Sequence, residues 1–414
     1  MIEHSGTIRQ RRTIGFLLAF SSFYIGLNYL WVSYNSLILP TQIIIIFPAS
    51  QRGLMLGAVA AGGVSLGVTI NILSGIISDQ LHSRWGRRTP LIVSGSLLLV
   101  PTMILVALMP VTVPLVVAGY IFMQLFSNLS QGSFQPLLPD LIVQDQRGEA
   151  GGFLGLFTLI GNALGYGITG LLVGLGFLPI SALIILVPLI ATTFIVIYVI
   201  KNEDLPFLGK SNSLKNAFFE MFKPKEEAPG FFWLVMGSFF VLTGCSGLMY
   251  FELYFFKYVL KLSNPAFGVA ICGLVVLFVG MIATLSLGYL SDKVGRKSIL
   301  ILSAIVGGIA MPFLPFTKSF EIFLLVAAVV GATTGLFLSV EMAYASDLVP
   351  VKASGQYMAY SNIAFGGSSA VAPIVDGTIL YFFGSMITGF IAMFFTASFF
   401  YFLGAILLLK TPKR

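Results

Sequence analysis

Charge is scarce in this chain of 414 residues. Only 9% are Asp, Glu, Lys or Arg, against about a quarter in a soluble globular domain. A soluble fold of this length would have too little polar surface to cover itself. Histidine is scarcer still: His4 stands in the N-terminal tail and His82 in a basic turn. With no imidazole in an apolar run, the sequence shows no thiol–imidazole pair, metal-ligand cluster or phosphate-cradling loop. An enzyme finds no support, and no metal or cofactor is expected. The two cysteines, Cys245 and Cys272, sit in apolar runs and give neither a disulfide framework nor a zinc pattern.

What fills the chain instead is apolar: 57% of residues are hydrophobic and the mean hydropathy is +0.97. Runs of about twenty apolar residues recur, each long enough to span a bilayer. In lipid the backbone must satisfy its own hydrogen bonds, so these runs are helices. Twelve are predicted, over 14–39, 52–78, 89–109, 113–138, 150–175 and 178–200, then 230–259, 265–290, 298–316, 320–346, 353–382 and 386–409. The first is too long for a signal-peptide core. The net charge of +7 does not mark a nucleic-acid binder, because the cations alternate between loops. All but four of the 23 lysines and arginines, namely Arg52, Lys257, Lys261 and Lys318, fall on one side. The positive-inside rule then puts both termini in the cytoplasm of a multi-pass cell-membrane protein.

A charged turn occurs twice. Gly75 leads to Ser78-Asp79, then Arg84, Trp85 and Gly86-Arg87-Arg88; Gly288 leads to Ser291-Asp292, then Gly295-Arg296-Lys297. A second pair follows each. Leu138-Pro139-Asp140-Leu141 precedes Arg147, and Ala345-Ser346-Asp347-Leu348 precedes Lys352. An internal repeat of charged turns in an apolar chain indicates two related halves. They are assigned to 1–200 and 230–414. A polar segment over 201–229, with a possible short amphipathic helix, tethers them.

Gly-x-x-x-Asp followed by Gly-Arg-Arg or Gly-Arg-Lys resembles the loop signature of the major facilitator superfamily. The longer first copy is similar to that of the glycoside–pentoside–hexuronide cation symporters and the sucrose transporters. The resemblance implies an all-α membrane protein with twelve transmembrane helices in two pseudo-symmetric six-helix halves. It also implies that Asp79, Arg84, Arg87, Arg88, Asp140 and Arg147, with Asp292, Arg296, Lys297 and Asp347, gate one side. The alternative for the cations is plain topology signalling. Asn128-x-x-Gln131-Gly132 leading to Leu138-x-Asp140-Leu141 resembles the sucrose-transporter pattern. Yet that branch's arginine and acid are here Gln135 and Gln124, and the symporters' two helix-two aspartates fall on Gly67 and Asn71.

Polar residues are costly in a membrane, so their placement is informative. Gln124, Asn128, Gln131 and Gln135 share one face of the fourth helix, and Tyr24, Asn28, Trp31 and Asn35 one face of the first. Amides beside aromatic rings suit a neutral hydroxylated ligand; interhelical polar contacts are the alternative. Tyr250 joins them as a substrate-binding candidate. A carboxyl in low dielectric favours its protonated form, which suits a proton carrier. Glu252, Glu341 and Asp376 are the candidates, and pairing of such an acid with a cation such as Lys257 is the alternative. The expectation is a monomeric secondary transporter moving a sugar or similar small polar solute with a proton, by alternating access. A proton-driven exporter of amphipathic compounds is the second reading, since the 38 phenylalanines could line a greasy cavity.

Overall fold

A computed structural model describes residues 11–81, 83–201, 230–348 and 354–412; the side chains at 290, 292, 354–359, 362 and 363 lie outside the description. Expectations on the 202–229 stretch of the tether, His82, Lys352 and the Asp292 side chain therefore fall outside the described residues. Eleven described helices are long and apolar enough to cross a membrane: α1 (Ile14–Ile46), α2 (Arg52–Gln80), α3 (Thr89–Leu108), α4 (Val113–Leu141), α5 (Gln144–Gly174), α6 (Leu178–Ile200), α7 (Phe231–Val259), α8 (Pro265–Tyr289), α9 (Arg296–Phe316), α10 (Phe320–Leu348) and α12 (Met386–Leu408). The 29-residue α11 (Ser354–Phe382) completes twelve.

Local chemistry fixes where these helices begin and turn. Pro90, Pro114, Pro179 and Pro265 each stand at the first or second position of a helix, where a missing N–H costs nothing. The glycines of the repeated turns, Gly86 and Gly295, have φ of 85° and 102°, a conformation glycine adopts without strain.

Two predicted boundaries were too short. α1 continues past Leu39 to Ile46. Pro40 reads as a stop, but a π-helical turn over Tyr34–Ile38 precedes it, and Leu39 N–H bonds to Tyr34 O instead of the usual fourth carbonyl. That shift re-phases the ladder so that Pro40 falls in the first turn of the next segment. α5 starts at Gln144, with a 3-10 turn over Gln144–Gln146. Two more π turns occur, Gly165–Thr169 in α5 and Phe255–Val259 in α7.

The halves meet toward the face opposite the basic turns. α2 and α11 pack backbone on backbone: a Cβ on Gly57 would lie 2.2 Å from Pro373 O, and one on Gly377 would lie 2.5 Å from Gly53 O. Small residues allow this close approach in lipid. Tyr254 donates to Pro40 O at 3.2 Å, Arg52 Nη1 to the Tyr258 hydroxyl at 2.7 Å, and Asn264 Nδ2 to Gly174 O at 3.0 Å. Toward the basic face α5 stands clear, and a Cβ on Gly151, Gly152 or Gly155 would meet nothing within 4 Å. Among the described residues, these glycine and hydrogen-bond contacts join the halves toward one face.

Candidate functional site

The amide stripe of α4 folds into a network with α1 and α2. Gly132 makes the approach possible: a Cβ there would come within 2.1 Å of Asn71 O. Asn71 Nδ2 donates to Gln131 Oε1 at 2.8 Å and lies 3.5 Å from Asn128 Oδ1. Asn128 Nδ2 donates to Gln124 O at 2.9 Å and Oε1 at 3.1 Å. Gln124 Nε2 donates to the Tyr120 hydroxyl at 2.9 Å, and that hydroxyl donates to Asn35 Oδ1 at 3.0 Å. Trp31 Nε1 donates to Ser127 Oγ at 3.2 Å. Each buried amide thus meets a complementary partner, as burial in low dielectric requires.

The predicted candidates divide. Asn35, Gln124 and Asn128 are buried, and Trp31 and Gln131 complete the cluster. Asn28 turns to its own helix and donates to Tyr24 O at 2.8 Å. Gln135 is exposed toward the basic face, beside Tyr24. Tyr250 reaches in from the other half, its hydroxyl standing beside that of Tyr120. The sequence reading missed Tyr120 and Asn71 as site residues. Tyr120 lies four positions before Gln124, so extending the stripe by one step would have found it. Asn71 was noted only as an aspartate's replacement.

The three intramembrane acids stand apart. Glu252 lies at the seam near Tyr166 of α5 and Cys272 of α8. One of its carboxylate oxygens is buried without a hydrogen-bond partner. Lys257 lies over the Tyr258 ring, 5.7 Å from its centre. Glu341 is buried opposite Ser238 of α7. Asp376 is buried against Gly247 of α7.

The gating candidates also divide. Arg87 and Arg88, whose side chains are 4% and 3% exposed, share Asp140 Oδ2 at 2.8 and 2.7 Å. Arg88 also meets Asp79 at 2.8 Å and Ser78 Oγ at 3.0 Å, with Arg87 3.7 Å from Asp79. These partners hold Asp79 at the end of its helix, where the dipole alone would disfavour it. Arg296 pairs with Asp347 at 2.8 Å and donates to Ala343 O at 2.8 Å. Arg84 is outside the cluster, exposed over Trp85. Arg147 donates to Ile142 O and Pro139 O instead of an acid. Lys297 donates to Leu409 O and Thr411 O, so it secures the end of α12.

Comparison with known proteins follows this geometry. The chain is 29% identical over 117 residues to Sucrose transport protein SUC4 of Arabidopsis thaliana, covering 24% of this chain and 23% of that protein. It is 29% identical over 133 residues to the General alpha-glucoside permease of Schizosaccharomyces pombe, covering 28% of this chain and 23% of that one. The matched region thus spans under a quarter of either relative. A bacterial homologue of the human lysosomal transporter Spinster, solved inward-facing and unoccupied, shares the fold with a TM-score of 0.72 at 15% identity, over 95% of this chain and 97% of that one. The D-xylose–proton symporter follows at 0.68 and 17%, over 94% and 96%. The sequence itself matches the Major Facilitator Superfamily over residues 13–286 and again over 275–414. Carried through both halves, that match makes the twelve helices around this amide network a solute carrier: the chain belongs to the major facilitator superfamily.

Proposed function

We propose that this transporter moves a sugar or similar small polar solute together with a proton, by alternating access, as a monomer in the cell membrane with both termini cytoplasmic. The observation that carries this is the buried amide and tyrosine network of Asn35, Asn71, Tyr120, Gln124, Asn128 and Gln131, with Tyr250 facing it from the other half. Neutral donors and acceptors of both kinds match hydroxyl groups, and Trp31 offers an apolar ring. The partial relatives named for sucrose and alpha-glucoside transport agree with that class.

Glu252 is the coupling acid in this proposal. It lies at the seam, with Tyr166 from one half and Cys272 from the other nearby. A group placed there changes surroundings whenever the halves rock, which is what coupling requires. Asp79, Arg87, Arg88 and Asp140, with Arg296 and Asp347, hold the turns that move with each half. Counterflow of labelled mono- and disaccharides in proteoliposomes tests the substrate class. Accumulation of a labelled sugar against an unlabelled excess is the expected result. Counterflow of amphipathic cations and of no sugar would overturn it.

A further inference from the structure

α3 ends where Pro110 ends it. The Val106 carbonyl would accept from the N–H four residues on, and proline has none. Met109 N–H still reaches Leu105 O at 3.1 Å. No hydrogen bond to the Val106, Ala107 or Leu108 carbonyl occurs among the described residues, although Val106 and Ala107 are buried. Helix carbonyls point toward the C-terminal end, so these three face the loop Met109–Val111. There a cavity of about 330 Å³ lies between α1, α3 and α6.

The floor of the cavity is Ile38, Gln42, Val106, Ala107 and Ala182, all buried; on its rim Leu108, Met109 and Pro179 are exposed. Gln42 is 2% exposed. The Tyr34 hydroxyl stands 3.5 Å from its Oε1, the outer limit of a hydrogen bond. Its Nε2 donates to no group among the described residues. A buried amide donor without a partner is costly, and this one lines a chamber whose other side chains are apolar.

The lining selects by chemistry. It holds no charged side chain, so an ionic head group would find no counter-charge. A sugar would bury many hydroxyls against apolar walls at similar cost. One hydroxyl fits: it donates to a released α3 carbonyl and accepts from Gln42 Nε2, and it answers the amide in either orientation. The volume is at the lower end for a small-molecule site, which runs over about 300–1,000 Å³. α3 begins at the basic turn, so the apolar rim lies at the opposite membrane surface, where an amphiphile's chain stays in lipid.

We propose that this chamber binds a short uncharged amphiphile with a hydroxyl head, of the medium-chain alcohol class, taken up head first from the membrane surface. The site lies within the first half, apart from the amide network, yet joins it. The Tyr34 ring lies 5.7 Å from that of Tyr120, and Tyr34 shares the π turn of α1 with Asn35, which accepts from Tyr120. The ligand is therefore a modulator of the network and not its cargo. That modulation rests on the transport reading; the binding site does not.

The test is photolabelling of the purified full-length protein in lipid nanodiscs with a diazirine-bearing octanol, the adducts mapped by mass spectrometry. Labelling should saturate on the 106–111 and 178–182 segments, and octanol should compete far better than octane. Gln42→Leu should bind roughly two- to tenfold more weakly, the loss of one hydrogen bond. The octanol and octane comparison uses the wild type, so the site remains testable if the variant does not fold. Labelling that never saturates, or octane competing as well as octanol, would overturn the site and leave the chamber to water or bulk lipid. In proteoliposomes, octanol should change sugar counterflow by the wild type more than by Gln42→Leu. Saturable labelling with equal effects on both would remove the modulation alone. Saturable labelling with no counterflow of any sugar would remove the substrate reading and keep the site.

Discussion

Arg88 donates through Nε to the Asp140 carboxylate at 2.7 Å, which ties the turn after α2 to the end of α4. Arg87 shares the same oxygen, so one acid at the end of α4 anchors two buried guanidinium groups. Asp79→Asn keeps that anchor. The variant should fold, bind solute within a few-fold of the wild-type affinity and transport far more slowly. Wild-type initial rates in proteoliposomes would remove Asp79 from the gate. Asp140→Ala differs in kind, because it leaves both arginines short of counter-charge. Breaking a buried pair costs roughly 3–5 kcal/mol, so its melting temperature should fall sharply.

Gln131 accepts from Asn71 at 2.8 Å. A net hydrogen bond is worth about 0.5–1.5 kcal/mol, and a buried group left unpaired costs about 1–3 kcal/mol. Gln131→Ala should weaken solute binding by roughly tenfold, as about 1.4 kcal/mol is one decade. Melting the variant with and without ligand separates binding from packing. A lower melting temperature with an undiminished ligand-induced rise would make Gln131 a packing residue.

Glu252→Gln should abolish uptake driven by a pH gradient while retaining solute exchange at equal pH. The neutral amide keeps the shape at the seam but carries no exchangeable charge. Normal proton-driven accumulation in the variant would transfer the coupling role to Glu341 or Asp376.

Tyr258→Phe should weaken closure at the face opposite the basic turns. It removes the 2.7 Å bond from Arg52, which joins the halves there together with the Tyr254–Pro40 and Asn264–Gly174 bonds. A loss of about 0.5–1.5 kcal/mol should raise the population opened at that face by roughly two- to tenfold. Labelling rates of a cysteine placed at Ile44 report this population, and rates equal to those of the parent would exclude a latch role.

Much of the molecule was already legible in one dimension. Lipid leaves a long apolar run no choice but helix, so the number of spans follows from hydropathy. The twin turns reveal two halves because each half needs its own acid, its glycine of positive φ and its cations. Helical spacing put Gln124, Asn128 and Gln131 on one face without any coordinates. The sequence could not determine what that face meets. Asn71 joins the site only because Gly132 lets α2 approach α4, and Tyr250 stands by Tyr120 only because α7 crosses from the other half. Pro40 looked like an end because the π turn before it leaves no mark in composition. Likewise Arg84, Arg87 and Arg88 are chemically equivalent in the sequence. Packing alone buries two of them on Asp140 and leaves the third over Trp85 in the open, since a charge is buried only where three-dimensional neighbours supply its counter-charge.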